Sequence, residues 1–140
     1  MCMNATQRLT NYWVTCADGL ETLLQQELES FGIQNIQRFA GRLIFKGTLE
    51  NAYRVCMWSR LASRVLLPIH IHELDFTHDA RDVAEELYEG ALSFDWSLIF
   101  APQSTFAVRL HIERDIKINS QLATLRVKDG VVDSFMETVG

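Results

Sequence analysis

Trp58-Ser59-Arg60-Leu61-Ala62-Ser63-Arg64 is the stretch on which the fold turns. Before it, Thr48 reads as the N-cap of a helix from Leu49 to Met57, with Leu49, Ala52, Tyr53, Cys56 and Met57 as its buried stripe. After it, Val65 to Ile71 is an apolar run that reads as a strand, and Pro68 places that strand at an edge or a bulge. The junction carries two arginines four residues apart, two serines and a tryptophan.

Upstream, Tyr12 to Cys16 is rich in β-formers and reads as a first strand. Ala17-Asp18-Gly19 is a tight exit with Asp18 as N-cap of a helix whose apolar positions are Leu20, Leu23, Leu24, Leu28 and Phe31. Gly32 stands where a helix takes its C′ glycine. Ile36 to Ala40 and Arg42 to Phe45 flank Gly41 as a hairpin. The order β-α-β-β-α-β matches a split β-α-β unit.

Downstream, His70 and His72 fall on one strand face, where two histidines can ligate a metal, but a solvated strand face is the simpler reading. A helix is expected from Ala80 to Glu89, ended by Gly90. Leu92 to Phe100 reads as a short helical turn or loop, and Thr105 to His111 alternates as a strand. Asn119 or Ser120 caps a last helix whose apolar positions include Leu122, Leu125, Val132, Phe135, Met136 and Val139. Gly130 within it costs about 1 kcal/mol relative to alanine, which calls for a close packing contact there. An α/β unit that stops on a helix usually continues into a further strand, so the chain is expected to be a piece of a longer protein.

Composition narrows the function. The 140 residues are 48% hydrophobic, enough for a sizeable core, with no run long enough to span a membrane. Three cysteines in no paired spacing, without a secretory leader, fit a reducing cytoplasm. Thirteen basic against 18 acidic residues give a net charge of −5, so any contact with RNA must be made by a local patch. No two of the seven glycines lie closer than Gly41 and Gly47, which excludes a dinucleotide fingerprint and a phosphate loop. Asp75, His78 and Asp79 are better explained as a polar turn than as an acid–base group, and no catalytic or metal constellation stands out.

Two clusters could hold RNA. In the first, Arg60 and Arg64 would each fork onto a phosphate and Trp58 would stack on a base; equally, the arginines would complement a helix dipole and Trp58 would be core. The second comprises Lys117, Asn119, Ser120, Gln121, Arg126 and Lys128 around a helix N-terminus, where free N–H groups favour an anion. A plain helix cap explains it as well, with Lys128 paired to Asp129 or Asp133.

The run Ala17-Asp18-Gly19-Leu20-Glu21 with Leu24, Glu27 and Leu28, then Phe45-Lys46-Gly47, then Met57 to Arg64, resembles bacterial large-subunit ribosomal RNA guanine-N2 methyltransferases of the RlmL type, which carry a THUMP domain. Thr105 to Val108, Asn119-Ser120-Gln121 and Val127-Lys128-Asp129 with Val132, Asp133 and Phe135 continue the resemblance in order, over about residues 12–138. It implies an α+β chain: a ferredoxin-like N-terminal portion over residues 1–50, then an incomplete α/β THUMP domain over 51–140 lacking its C-terminal strands. It also implies a cytoplasmic RNA-binding role, with large-subunit ribosomal RNA and a C-terminal methyltransferase domain as partners and no membrane. S-adenosylmethionine would be the cofactor of that absent domain, with none in this chain and no catalytic residue to carry over. Where the family often has a basic residue just before Asn-Ser-Gln, this chain has Ile118, with Lys117 one earlier. The alternative is a protein–protein or intramolecular docking module without RNA contact.

Overall fold

The computed structural model describes residues 8–74, 80–112 and 116–139. Contacts divide it into two compact units, residues 1–69 and 70–140. The division expected after residue 50 falls inside the first unit, at the start of its second helix.

The first unit runs β1 (Thr10–Thr15), α1 (Glu21–Ser30), β2 (Ile36–Phe39), β3 (Arg42–Gly47), α2 (Leu49–Trp58) and β4 (Arg64–Leu66). Its sheet has the order β2-β3-β1-β4, and every paired neighbour is antiparallel. β3 thus sits between β1 and β2, the split β-α-β arrangement expected of a ferredoxin-like unit. Alternation decides which side is buried. Tyr12 and Val14 stand opposite Phe45 and Leu43, all four turn inward, and the Tyr12 and Phe45 rings stack at 5.5 Å. Leu24 and Leu28 of α1 and Ala52 and Val55 of α2 complete this core, so both helices cover the same sheet face. Each large side chain so buried is worth about 1.5–3 kcal/mol.

Thr48 caps α2 in a capping box with Asn51, and Gly32 and Gly41 take φ of 83° and 71° after α1 and in the hairpin. Asp18 does not cap α1: the cap position is Leu20, and the Glu21 carboxylate instead accepts from the Gly19 and Gly41 N–H groups at 2.9 and 2.8 Å. The Gly41 bond, ahead of the other backbone donors, holds the Glu21 carboxyl below its usual pKa. The expected α2 stripe is displaced. Tyr53, Cys56 and Met57 are exposed, because Ala52 and Val55 are the positions that meet the sheet. The strand expected over residues 65–71 is shorter, since β1 offers partners only for Arg64, Val65 and Leu66.

The second unit is built on α3 (Ala80–Leu92) and α4 (Ser120–Val139), with a short 3₁₀ helix at Trp96–Leu98. α3 runs through Gly90 rather than ending there, and a Cβ at Gly90 would lie 2.7 Å from the His72 ring. Gly130 of α4 lies close against Ala91 of α3, and the other buried residues of the two helices are mostly small: Val83 and Ala84 on α3, Ala123, Val131 and Ser134 on α4. Of the apolar positions of this helix, Leu122, Leu125, Val132 and Met136 are exposed, while Phe135 packs on the Phe100 ring. Tyr88 donates to the Asp133 carboxylate at 2.7 Å, and Ser134 donates to the Phe94 carbonyl at 2.8 Å. Trp96 donates to the Ala91 carbonyl, and Phe94, Trp96, Phe100 and Phe135 form a chain of ring contacts. Residues 105–111 alternate as a strand should, yet no described strand pairs with them; alternation supplies the faces but not the ladder. His70 and His72 lie outside any strand, their rings 6.4 Å apart. Asp75, His78 and Asp79 fall outside the described residues.

Candidate nucleic-acid interface

The Trp58–Arg64 junction is held by Glu27 of α1, a residue to which periodicity assigns no role. The Glu27 carboxylate accepts from the Ser59 hydroxyl at 2.5 Å and from the Arg60 N–H at 2.9 Å. Ser59 Oγ in turn accepts from the Ala62 N–H at 3.0 Å, and the Ser63 N–H donates to the Thr15 carbonyl at 2.7 Å. The backbone of the turn is therefore committed, while its largest side chains are not. Trp58 is 65% exposed, and the exposed Arg60 guanidinium makes no hydrogen bond or ion pair among the described residues. With Glu27, Ser30, Phe31 and Arg54 they line an open groove of about 590 Å³. Arg54 is anchored there by the Phe31 carbonyl and by Glu50, both at 3.2 Å.

Partial burial alone would raise the Glu27 carboxyl pKa. The Arg60, Ser59 and Leu61 hydrogen bonds and the Arg60 charge outweigh it, and the net shift is downward. A carboxyl whose folded pKa is depressed stabilises the fold fully above its unfolded value, and that contribution fades as pH falls below that value and through the folded one. Glu27→Gln is accordingly expected to cost about 1–2 kcal/mol at neutral pH and much less in acid. Urea midpoints at both pH values measure this; equal losses would mean that the carboxylate charge does not hold the turn.

Arg64 is not part of this groove. It lies in β4 opposite Thr15, next to Val65, which turns to the core, so Arg64 belongs to the sheet face away from the helices. The two arginines, four residues apart in sequence, are thus separated by the helix-to-strand transition.

At the second cluster, Asn119 Oδ1 accepts from the Gln121 and Leu122 N–H groups at 2.9 and 3.2 Å, so the helix start is capped from within. Ser120 and Gln121 line a shallow depression of about 380 Å³ with Thr124 and Leu125. Lys117 and Lys128 are exposed and unpaired among the described residues. Arg126, by contrast, is structural: it lies 4.2 Å over the Tyr88 ring and pairs with Glu85 at 2.8 Å and Asp129 at 3.4 Å. The described residues contain no group of three or more His, Cys, Asp or Glu placed to hold a metal, and no helix long and apolar enough to cross a membrane.

Comparison with known proteins places both units. Residues 11–66 match the family model of the RlmL ferredoxin-like domain, and residues 81–140 that of the THUMP domain. The chain is 82% identical over 138 residues to a ribosomal RNA large subunit methyltransferase K/L of Acinetobacter baylyi, covering 99% of this chain and 19% of that protein. It is 45% identical over 124 residues to the protein of the same name from Psychrobacter arcticus, covering 89% of this chain and 16% of the relative. The chain thus spans less than a fifth of the length of these curated relatives. Among solved structures, the SMU.472 protein complexed with SAH matches with a TM-score of 0.78 at 24% identity, over 95% of this chain and 33% of that one. At that identity the likeness is one of fold.

Proposed function

We propose, given that the chain belongs to the proteins in which an RlmL ferredoxin-like domain precedes a THUMP domain, that it is the RNA-recognition portion of a large-subunit ribosomal RNA methyltransferase. The observation that carries this is the ordered match of both domains within relatives named for that activity. In this reading the target is a guanine N2, and S-adenosylmethionine supplies the methyl group in a further domain. This chain does not fit that cofactor: Gly19, Gly32 and Gly41 serve three separate turns, and no glycine pair cradles a phosphate. Its part is to hold structured RNA through phosphates, which positions the RNA without reading sequence.

The contacts proposed are Trp58 and Arg60 at the groove, Arg64 on the sheet, and Lys117 and Lys128 near and along α4, with Asn119, Ser120 and Gln121 at its start. Exposure of both junction arginines supports the RNA reading over one in which they are buried in ion pairs. The test is Arg60→Ala with Arg64→Ala in the full-length protein, which is expected to weaken binding of large-subunit ribosomal RNA about tenfold by removing two charge-assisted phosphate contacts. Unchanged binding would remove these residues from the interface. A second reading, a docking surface for the methyltransferase domain, is favoured by the exposed apolar residues of α4, Leu125 at 53% and Met136 at 70%.

A further inference from the structure

The sheet of the first unit has a second face, and its composition is not that of a solvent face. An antiparallel sheet covered on one side by helices normally turns polar residues outward on the other. Here the outward positions are fixed by the register, opposite in parity to Tyr12, Val14, Leu43, Phe45 and Val65. They include Trp13, Phe39, Arg42, Ile44, Lys46 and Arg64. Phe39 is 43% exposed, although it is aromatic and the core lies on the opposite side.

Two features point to one ligand. The first is charge. The four strands contain Arg38, Arg42, Lys46 and Arg64 and not one Asp or Glu, within a chain of net charge −5. Arg38 turns to the helix side, where it donates to Thr22; the other three basic residues face outward. The second is a row of flat surfaces across β2, β3 and β1. The Arg42 guanidinium carbon sits 5.3 Å from the Phe39 ring centroid and 4.6 Å from that of Trp13. Its Nε is buried without a hydrogen-bond partner among the described residues, so packing between the rings rather than hydrogen bonding at that atom accounts for its position. Aromatic rings and arginine planes are the surfaces on which unpaired bases stack, and every base has such a face.

We infer that the helix-free face of this sheet binds single-stranded RNA, stacking bases on Trp13, Phe39 and Arg42 while Lys46 and Arg64 hold the phosphates. This site is distinct from the groove at Trp58 and Arg60 and adds an unpaired segment to the RNA that the chain engages. It is tested with the whole chain and a fluorescent single-stranded RNA of about 12 nucleotides, beside an RNA duplex of the same length. Trp13→Ala with Phe39→Ala is expected to weaken single-strand binding at least about tenfold and to leave duplex binding within about twofold. Lys46→Ala, at an exposed position outside the ring row, is expected to weaken it about threefold and to reduce its salt dependence, and it keeps the test valid if the double variant does not fold. Unchanged single-strand affinity in the Lys46 variant and in the folded double variant would overturn the inference. So would duplex binding without single-strand binding by the unaltered chain, which leaves the RNA reading itself standing. Failure to bind either RNA would end both, and binding of an acidic peptide in place of RNA would assign the face to a protein partner and overturn the inference.

Discussion

Phe45→Ala is expected to destabilise the first unit by about 3–5 kcal/mol, the usual cost of emptying a buried phenyl site. Phe45 is fully buried, stacks on Tyr12, and stands in β3, the strand that lies between β1 and β2 and joins them in one sheet. A unit of this size has a total stability of about 3–9 kcal/mol at common values per residue, so the variant should be largely unfolded in that half. Proteolysis or hydrogen exchange, read separately for the two units, measures the effect. A loss below about 1 kcal/mol would mean that the core collapses around the vacancy and that packing at Phe45 does not organise the sheet.

Gly130→Val is expected to cost the second unit about 3 kcal/mol, a fall in melting temperature of about 12 °C or more. A Cβ at Gly130 would lie 2.7 Å from the Ala91 Cβ, 2.7 Å from the Tyr88 carbonyl oxygen and 3.2 Å from the Leu92 nitrogen. Two of these three are backbone atoms of α3, which cannot move aside as a flexible side chain would. Alanine at the same position gains about 1 kcal/mol of helix propensity and loses more than that to the contact, so Gly130→Ala should be milder but still destabilising. Thermal denaturation followed by circular dichroism gives both values, and a stabilised alanine variant would show that the helices can separate without loss.

The glycine in the last helix was legible because a helix interior tolerates one only for a reason. The larger apolar residues around it misled for the same physical cause. Where helices approach through Ala84, Ala91, Ala123 and Gly130, small side chains occupy the interface, and Leu122, Leu125 and Met136 are left outside. Periodicity marks apolar positions but does not distinguish close approach from ordinary packing. In α2 Ala52 is buried as expected, but Val55 shares its buried face in place of Tyr53, Cys56 and Met57. The sheet order of the first unit followed from the sequence of elements and one glycine-centred turn, both local properties.

The proposed RNA-contacting surface was less legible. Trp58, Arg60, Asn119 and Lys128 are candidates because they cluster in sequence. Glu27 was missed because its partners lie 32 and 33 residues away, and no periodic signal separates it from the solvated Glu29. The row of Phe39, Arg42 and Trp13 was missed because it exists only once β2, β3 and β1 are paired.

The central claim is that an acidic chain meets RNA through local basic positions. The most direct measurement is filter binding of the chain to a large-subunit ribosomal RNA fragment at about 50 and about 200 mM salt. Release of counterions by only two to four phosphate contacts predicts that the affinity falls by about tenfold or more between the two. Binding that is absent, or unchanged by salt, would contradict the account and leave the chain as a docking module.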